Sequence, residues 1–308
     1  MKVTVAICTW NRSVLLDKTL ERFKSLRIPG GVRWELIIVD NASTDNTADI
    51  IKRHIEKLPI IQRLESKQGH CHARNCAIDH AEGEWILWTD DDVLVGADWL
   101  ANYLAAIEQF PNAVFAGGTI TPWFARQPPA WIRSNLGMLQ GPFAIRELGP
   151  EVRWLDMKET VYGANMAFRT DVLRQNLFDP NFGLVGEGAI RGDEADVIRR
   201  IRMQGGKGLW VGNAQVDHYI PEERLTASYV RKFSFGYGQT IARQPTNGTV
   251  ATSFGRPRWA LRKYLQNRAM ELVLMPFRNR RWLTYLQEAA ICRGIMEQYR
   301  IDKAPDER

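Results

Sequence analysis

The chain has 308 residues, 45% apolar and 25% charged, with a net charge of +6; this is the composition of a folded soluble protein with room for one large domain or two modest ones. It contains no apolar run of the ~18 residues that a bilayer span needs, and MKVTVAICTW runs straight into a strand pattern rather than a secretory leader. Four cysteines, of which only Cys71 and Cys76 are near each other, supply no second pair for a zinc site and read as reduced thiols of a cytoplasmic protein.

VTVAIC, residues 3–8, predicts a short buried strand, and SVLLDKTLERFKSLR carries apolar residues at helical spacing. WELIIVD at 34–40 is a second strand with little alternation, as expected of a sheet covered on both faces. NASTDNTADIIKRHIEK opens with cap residues and becomes a helix. A strand over 60–65, a short helix over 70–80, the strand EWILWT at 84–89, an amphipathic helix ADWLANYLAAIEQF and the strand NAVFAGGTI follow. This alternation predicts an open, mostly parallel α/β sheet with ligands bound outside the carboxyl ends of its strands. Beyond residue 120 the pattern loosens: a tryptophan- and proline-bearing irregular stretch, a strand over 161–169, a helix opened by GDEAD, then KGLWVGNAQVDHY as paired strand. The remainder is helical, with a gap at 245–257 before two basic helices.

Asp90, Asp91 and Asp92 end the apolar run ILWT, where three like charges repel. A solvated turn would tolerate them, and a divalent cation would use them. Asp40 ends another strand, so both acidic points fall on one sheet edge.

The ordered set VAICTWNR, IIVDNASTDNT, GHCHARNCAIDHAEGEWILWTDDDV, YGANMAFRTDVL and GDEADVIRRIRMQG resembles family 2 glycosyltransferases of the GT-A fold over about residues 3–205. The resemblance implies a Rossmann-like central sheet flanked by helices. It also implies transfer of one sugar from a nucleotide-sugar donor, UDP-linked first, with inversion and a divalent Mn²⁺ or Mg²⁺. In its terms residues 1–219 form the GT-A domain, with 1–120 the nucleotide-sugar half and 121–219 the acceptor half; 220–308 is a helical basic extension.

Asp90 and Asp92 match the family's Asp-x-Asp motif, with Asp92 as direct metal ligand, Asp90 holding ribose or a metal-bound water, and Asp91 a donor-side residue free to face either way. His218 matches a position near the diphosphate, with a loop hydrogen bond as its plain alternative. Thr9, Arg12, Asp40 and Arg74 correspond to donor-binding positions, and Asn165 to one near donor sugar or acceptor. Asn41 stands where a second acid is common in the family. A carboxylate must take the acceptor hydroxyl's proton, and the pair before the late helix is Asp193-Glu194, reversed from the family order. By column Glu194 is the base, with Asp193 as the alternative.

Trp123, Trp131 and Trp154 are acceptor-side candidates, since an indole stacks on sugar or a greasy acceptor; each could equally fill a small core. Gly183, Gly186, Gly188 and Gly192 would suit a lid or a plain loop. From Ser253 to Arg308 twelve Lys or Arg face six Asp or Glu, an excess equal to the whole net charge. That tail fits an anionic membrane surface and a glycan or lipid-linked acceptor, or else a homodimer contact or bare solvent. The acidic sheet edge argues against nucleic acid as partner. A non-catalytic sugar-nucleotide-binding relative and a metal-dependent nucleotidyltransferase are the competing readings.

Overall fold

The computed structural model describes residues 1–181, 192–243, 251–253 and 255–303. The described residues of Met1–Trp123, Ala144–Gly186 and Gly192–Tyr219 form one compact unit, and those of Phe124–Phe143 and Ile220–Arg308 a second.

The first unit begins as the sequence pattern predicts: β1 (Lys2–Thr9), α1 (Ser13–Phe23), β2 (Arg33–Asp40), α2 (Thr47–His54), β3 (Ile60–Leu64), α3 (His70–His80) and β4 (Trp85–Trp88). A three-residue strand, β5 (Val93–Val95), then precedes α4 (Trp99–Gln109) and the long β6 (Ala113–Phe124). Two short helices, α5 (Ala130–Arg133) and α6 (Gln140–Phe143), lead to β7 (Val152–Trp154). The expected strand over 161–169 is split: a 3-10 turn at Gly163–Asn165 runs into β8 (Met166–Arg169). After α7 (Thr170–Gln175) come α8 (Asp193–Met203) and β9 (Lys207–Ile220).

Nine strands of the described residues make one sheet in the order β3-β2-β1-β4-β8-β6-β9-β5, with β7 also on β9. β2 and β4 flank β1 in parallel and β3 pairs in parallel with β2, while β8 runs antiparallel to β4 and β6, and β5 and β7 antiparallel to β9. The sheet is therefore mixed. Strand–helix alternation ends after β4, and parallel pairing, which needs a crossover helix, ends with it.

Period-2 geometry explains the continuous apolar strands. Val3, Val5, Ile7, Leu36, Ile38, Trp85 and Leu87 enter the core under α1, α2 and α4. Their neighbours Ala6, Ile37, Val39, Ile86 and Trp88 enter the core under α3, α7 and α8.

The second unit holds α5, α6 and five later helices and strands. These are α9 (Ala227–Arg243), the two-strand pair β10 (Thr252–Ser253) and β11 (Arg256–Pro257), α10 (Arg258–Leu274) and α11 (Arg280–Lys303). The backbones of α9 and α11 touch: a Cβ at Gly238 would collide with the Ile291 carbonyl, so the helices close only on glycine. Trp131 packs edge-on against Trp282 at 5.4 Å inside this unit. Among the described residues no helix is long and apolar enough to cross a membrane.

Candidate active site

The carboxyl ends of β1, β2 and β4 lie side by side because β1 sits between the other two, and Thr9 is the register partner of Asp40. The loops that follow are stitched together. Asn11 adopts the left-handed conformation (φ 51°), which asparagine tolerates, and its Oδ1 accepts from the Thr44 N–H at 2.7 Å. Asp45 accepts from the Ser13 N–H, and Asp40 Oδ1 accepts from the Ser43 N–H at 2.8 Å. Asn41, which sequence reasoning treats only as a missing acid, has a structural task. Its amide donates to the carbonyls of Glu65 and Lys67 and accepts from the Gly69 N–H, fixing the entry to α3.

The acid run is assembled around Arg12. Asp91 is buried, and its Oδ2 accepts from the Thr9 hydroxyl at 2.7 Å. Arg12 Nη1 lies 3.1 Å from Asp91 Oδ1 and 2.5 Å from Asp92 Oδ2. Asp91 thus faces Thr9 and Arg12, which settles its direction. Thr9 and Arg12, read as donor-binding residues, have their polar atoms turned onto these acids.

His218 arrives from β9. Val93 of β5 pairs with His218, and the Tyr219 N–H donates to the Asp92 carbonyl, so the imidazole Nε2 lies 3.5 Å from Asp92 Oδ1. Asp90, Asp92 and His218 can each offer one donor atom, all within 4.8 Å of one another. Two carboxylates and an imidazole suit Mn²⁺, and the oxygens suit Mg²⁺. The crowding registers in the acids themselves. Burial, then the charge of Asp92, pushes the Asp90 carboxyl up to about 7. Burial also raises Asp91 to about 6, against the pull of Arg12. A second group able to hold a cation, Asp17, Glu21 and His54, lies on α1 and α2, where the His54 Nε2 is 2.7 Å from Asp17 Oδ1.

The other carboxylate pair opens α8, after Gly192 in the left-handed conformation (φ 104°). Arg74 joins both acids: one nitrogen bonds Asp193 Oδ2 and the other reaches Glu194 Oε1 at 3.2 Å. Its guanidinium is buried against the Phe178 ring, 4.9 Å from the centroid, and near Trp88. The Gly163 N–H also donates to Glu194 Oε1, and a Cβ at Gly163 would strike both Arg74 and Glu194. The Asp193 side chain is 5% exposed, that of Glu194 23%. Burial and the neighbouring Asp193 raise the Glu194 pKa, with Arg74 opposing. Arg74 and Glu194 both act on the charge of Asp90, so the two acid groups share one field.

The structure does not bring every candidate to this edge. Asn165 is fully buried. Its Oδ1 accepts from Trp99 Nε1 and the Tyr103 hydroxyl, and its amide donates to the Thr119 and Ala214 carbonyls. Two acceptances and two donations fill an asparagine amide, so Asn165 fastens β6, β8 and β9 rather than touching a sugar. Arg74 is likewise a clamp on Asp193 and Glu194, too enclosed at 1% side-chain exposure to serve as an open donor contact. Trp123 packs on Tyr219, the residue after His218, at 4.9 Å between ring centroids, and the Lys18 ammonium lies over it. Trp154 pairs with Leu209 at the other end of β9, roughly 30 Å from His218 at ~3.3 Å per residue. Trp131 is a core residue of the second unit, 8% exposed. The lid expected at Gly183, Gly186 and Gly188 lies outside the described residues.

Comparison with known proteins agrees with this geometry. The chain is 25% identical over 249 residues to the succinoglycan biosynthesis protein ExoM of Rhizobium meliloti, covering 79% of this chain and 75% of that one. It is 25% identical over 248 residues to the glucosyl-dolichyl phosphate glucuronosyltransferase of Haloferax volcanii, covering 78% and 77%. The solved mannosyltransferase PcManGT of Pyrobaculum calidifontis, in complex with GDP-Man and Mn²⁺, matches with a TM-score of 0.64 at 20% identity, covering 98% of this chain and 88% of that one. The fold is thus the GT-A fold, and Asp90, Asp92 and His218 at its Asp-x-Asp edge form a group that could hold a divalent cation. The family model for Glycosyl transferase family 2 matches residues 4–174, more than half of the sequence from β1 to α7, and the chain belongs to that family.

Proposed function

We propose that the protein transfers a single sugar from a nucleotide-sugar donor, a UDP-sugar first, to a hydroxyl of a glycan, lipid-linked or glycolipid acceptor, with inversion at the anomeric carbon. The observation that carries this reading is the pairing of a cation-holding group with a second, partly exposed carboxylate, Glu194, in one electrostatic field. Asp92, Asp90 and His218 would hold Mn²⁺ or Mg²⁺. When bound, the cation supplies positive charge against the departing diphosphate.

The remaining work falls to the chain. Thr9 and Asp40 border the place for the nucleoside, and Arg12 adds positive charge where the phosphates would lie. Glu194 takes the proton of the acceptor hydroxyl as its oxygen bonds to the anomeric carbon. The bond from that carbon to the phosphate oxygen breaks, and its electron pair leaves with the diphosphate. A raised pKa makes Glu194 a better proton acceptor than an ordinary glutamate. Asp193 and Arg74 position it, and Trp123 offers the acceptor an aromatic face.

Two relatives support the acceptor class: one is named for succinoglycan biosynthesis, the other for transfer to a glucosyl-dolichyl phosphate. The proposed place of work is the cytoplasm, at the inner face of the cell membrane. A screen of donor hydrolysis across UDP-, GDP- and dTDP-sugars, with and without Mn²⁺, tests the proposal. Cation-dependent turnover of one class is expected, with a loss of about 100-fold or more in Asp92→Ala. Full turnover by that variant, a retained anomeric configuration, or consumption of nucleoside triphosphates instead would overturn it.

A further inference from the structure

The second unit presents an apolar face to solvent. Leu265, Met270, Leu272 and Val273 of α10 are exposed, Val273 by 65%, and so are Met275 and Phe277 in the turn beyond it, Phe277 by 70%. A surface helix ordinarily keeps its large apolar side chains against the core. Here α10 buries Ala260 and Glu271 and turns these outward. Helical spacing gathers them into one patch: Leu265, Ala269 and Leu272 form one row, Met270 and Val273 the row beside it.

Positive charge rims the patch. Arg258 and Arg262 are exposed at the start of α10, and Arg278, Arg280 and Arg281 are exposed just past Phe277. From Arg256 to Arg281 the sequence contains a single acid, Glu271. It is buried between Arg231 and Arg268, which consume its charge inside the fold. An apolar strip interrupted only by the uncharged Gln266, with arginines at both ends and no exposed acid in the segment, complements a surface that is greasy within and anionic at its rim. A second copy of the chain meeting this patch about a two-fold axis would set the flanking arginines of one copy against those of the other.

We propose that this patch docks the protein on an anionic lipid bilayer. The last two turns of α10 and the Met275–Phe277 turn enter the acyl boundary, and the flanking arginines meet lipid phosphates at roughly fivefold in affinity each. The inference rests on the reading of the protein as peripheral to a membrane, but not on the chemistry at residues 90–92 and 193–194.

Flotation of the full chain with phosphatidylcholine vesicles, with and without an equal part of phosphatidylglycerol, tests it. The wild type is expected to float with the anionic vesicles only. Val273→Asp combined with Phe277→Asp, and separately Arg280→Glu combined with Arg281→Glu, are each expected to weaken binding by about tenfold or more. These side chains are exposed, so the melting temperature and donor hydrolysis in solution stay at wild-type values. Wild-type protein that ignores anionic vesicles, or variants that float as well as it does, would overturn the proposal. So would a wild-type dimer that Val273→Asp with Phe277→Asp splits in sedimentation without changing flotation, since the patch would then join two copies. Protein that floats but hydrolyses no donor counts against the proposed reaction and leaves the docking surface standing; the reverse result does the opposite.

Discussion

Two carboxylate groups in the first unit are each organised by one arginine, and the two arginines are held differently. Arg12 comes from the start of α1 and keeps 40% of its side chain in water as it bridges Asp91 and Asp92. Arg74 comes from inside α3, keeps 1%, and lies between aromatic rings as it joins Asp193 to Glu194. A half-exposed guanidinium can be exchanged for another cation, because water takes over its hydration. An enclosed one has no open way into water and stays on its acids. Charge at residues 90–92 is therefore adjustable, which suits a place where ions and phosphates come and go. Charge at 193–194 is fixed, which suits a base that must keep one position.

The largest expected effect separates the two members of the fixed pair. Glu194→Gln should lower transfer by about 10²–10⁴-fold with donor affinity unchanged in calorimetry. The same loss in Asp193→Asn, with none in Glu194→Gln, would exchange their roles. Next comes the contrast between the arginines. Arg74→Met should cost about 3–5 kcal/mol in urea unfolding, because Asp193 loses its buried partner, whereas Arg12→Met in saturating Mn²⁺ should cost under ~1 kcal/mol, because the ion takes over the charge beside the buried Asp91 and Asp92. Equal costs would break the comparison.

The acid run should also show in the pH dependence of stability. Asp90 at about 7 and Asp91 at about 6 stand above the ordinary carboxylate value, so the folded, cation-free protein binds more protons than the unfolded chain between them. Stability in EDTA should therefore fall as pH rises from ~4 through ~7, and saturating Mn²⁺ should flatten the fall. Melting temperatures across that range, with and without the ion, check the sign. The smallest effect sharpens the idea of an exchangeable arginine: Arg12→Met should tighten Mn²⁺ binding a few-fold in calorimetry by removing a competing positive charge.

Local pattern made the first half of the sheet readable. β1, β2 and β4 are unbroken apolar runs because both their faces are covered, and helices lie between them. The acidic edge was legible for the same reason: strand ends were already placed. What sequence could not show depends on contacts between distant segments. β5 is too short to register as a strand, yet its register with β9 delivers His218 to Asp92. Arg74 reads as a donor-binding position, and its grip on Asp193 and Glu194 emerges only when α8 is docked over it. Asn165 reads as a ligand contact until four buried partners close on its amide. Among the tryptophans, Trp123 and Trp131 look alike in an irregular stretch; only packing sends one to Tyr219 and the other to Trp282.

The candidate donor set at Asp90, Asp92 and His218 draws on the end of one early strand and on the last strand of the sheet in chain order. A partly synthesised chain that has emerged only as far as β6 would own the two carboxylates but not the imidazole. Full grip on the ion then waits for β9 to settle beside β5. An ion held by these three residues would therefore report that β9 is in place, and a truncated copy would be marked by its weak hold on the metal.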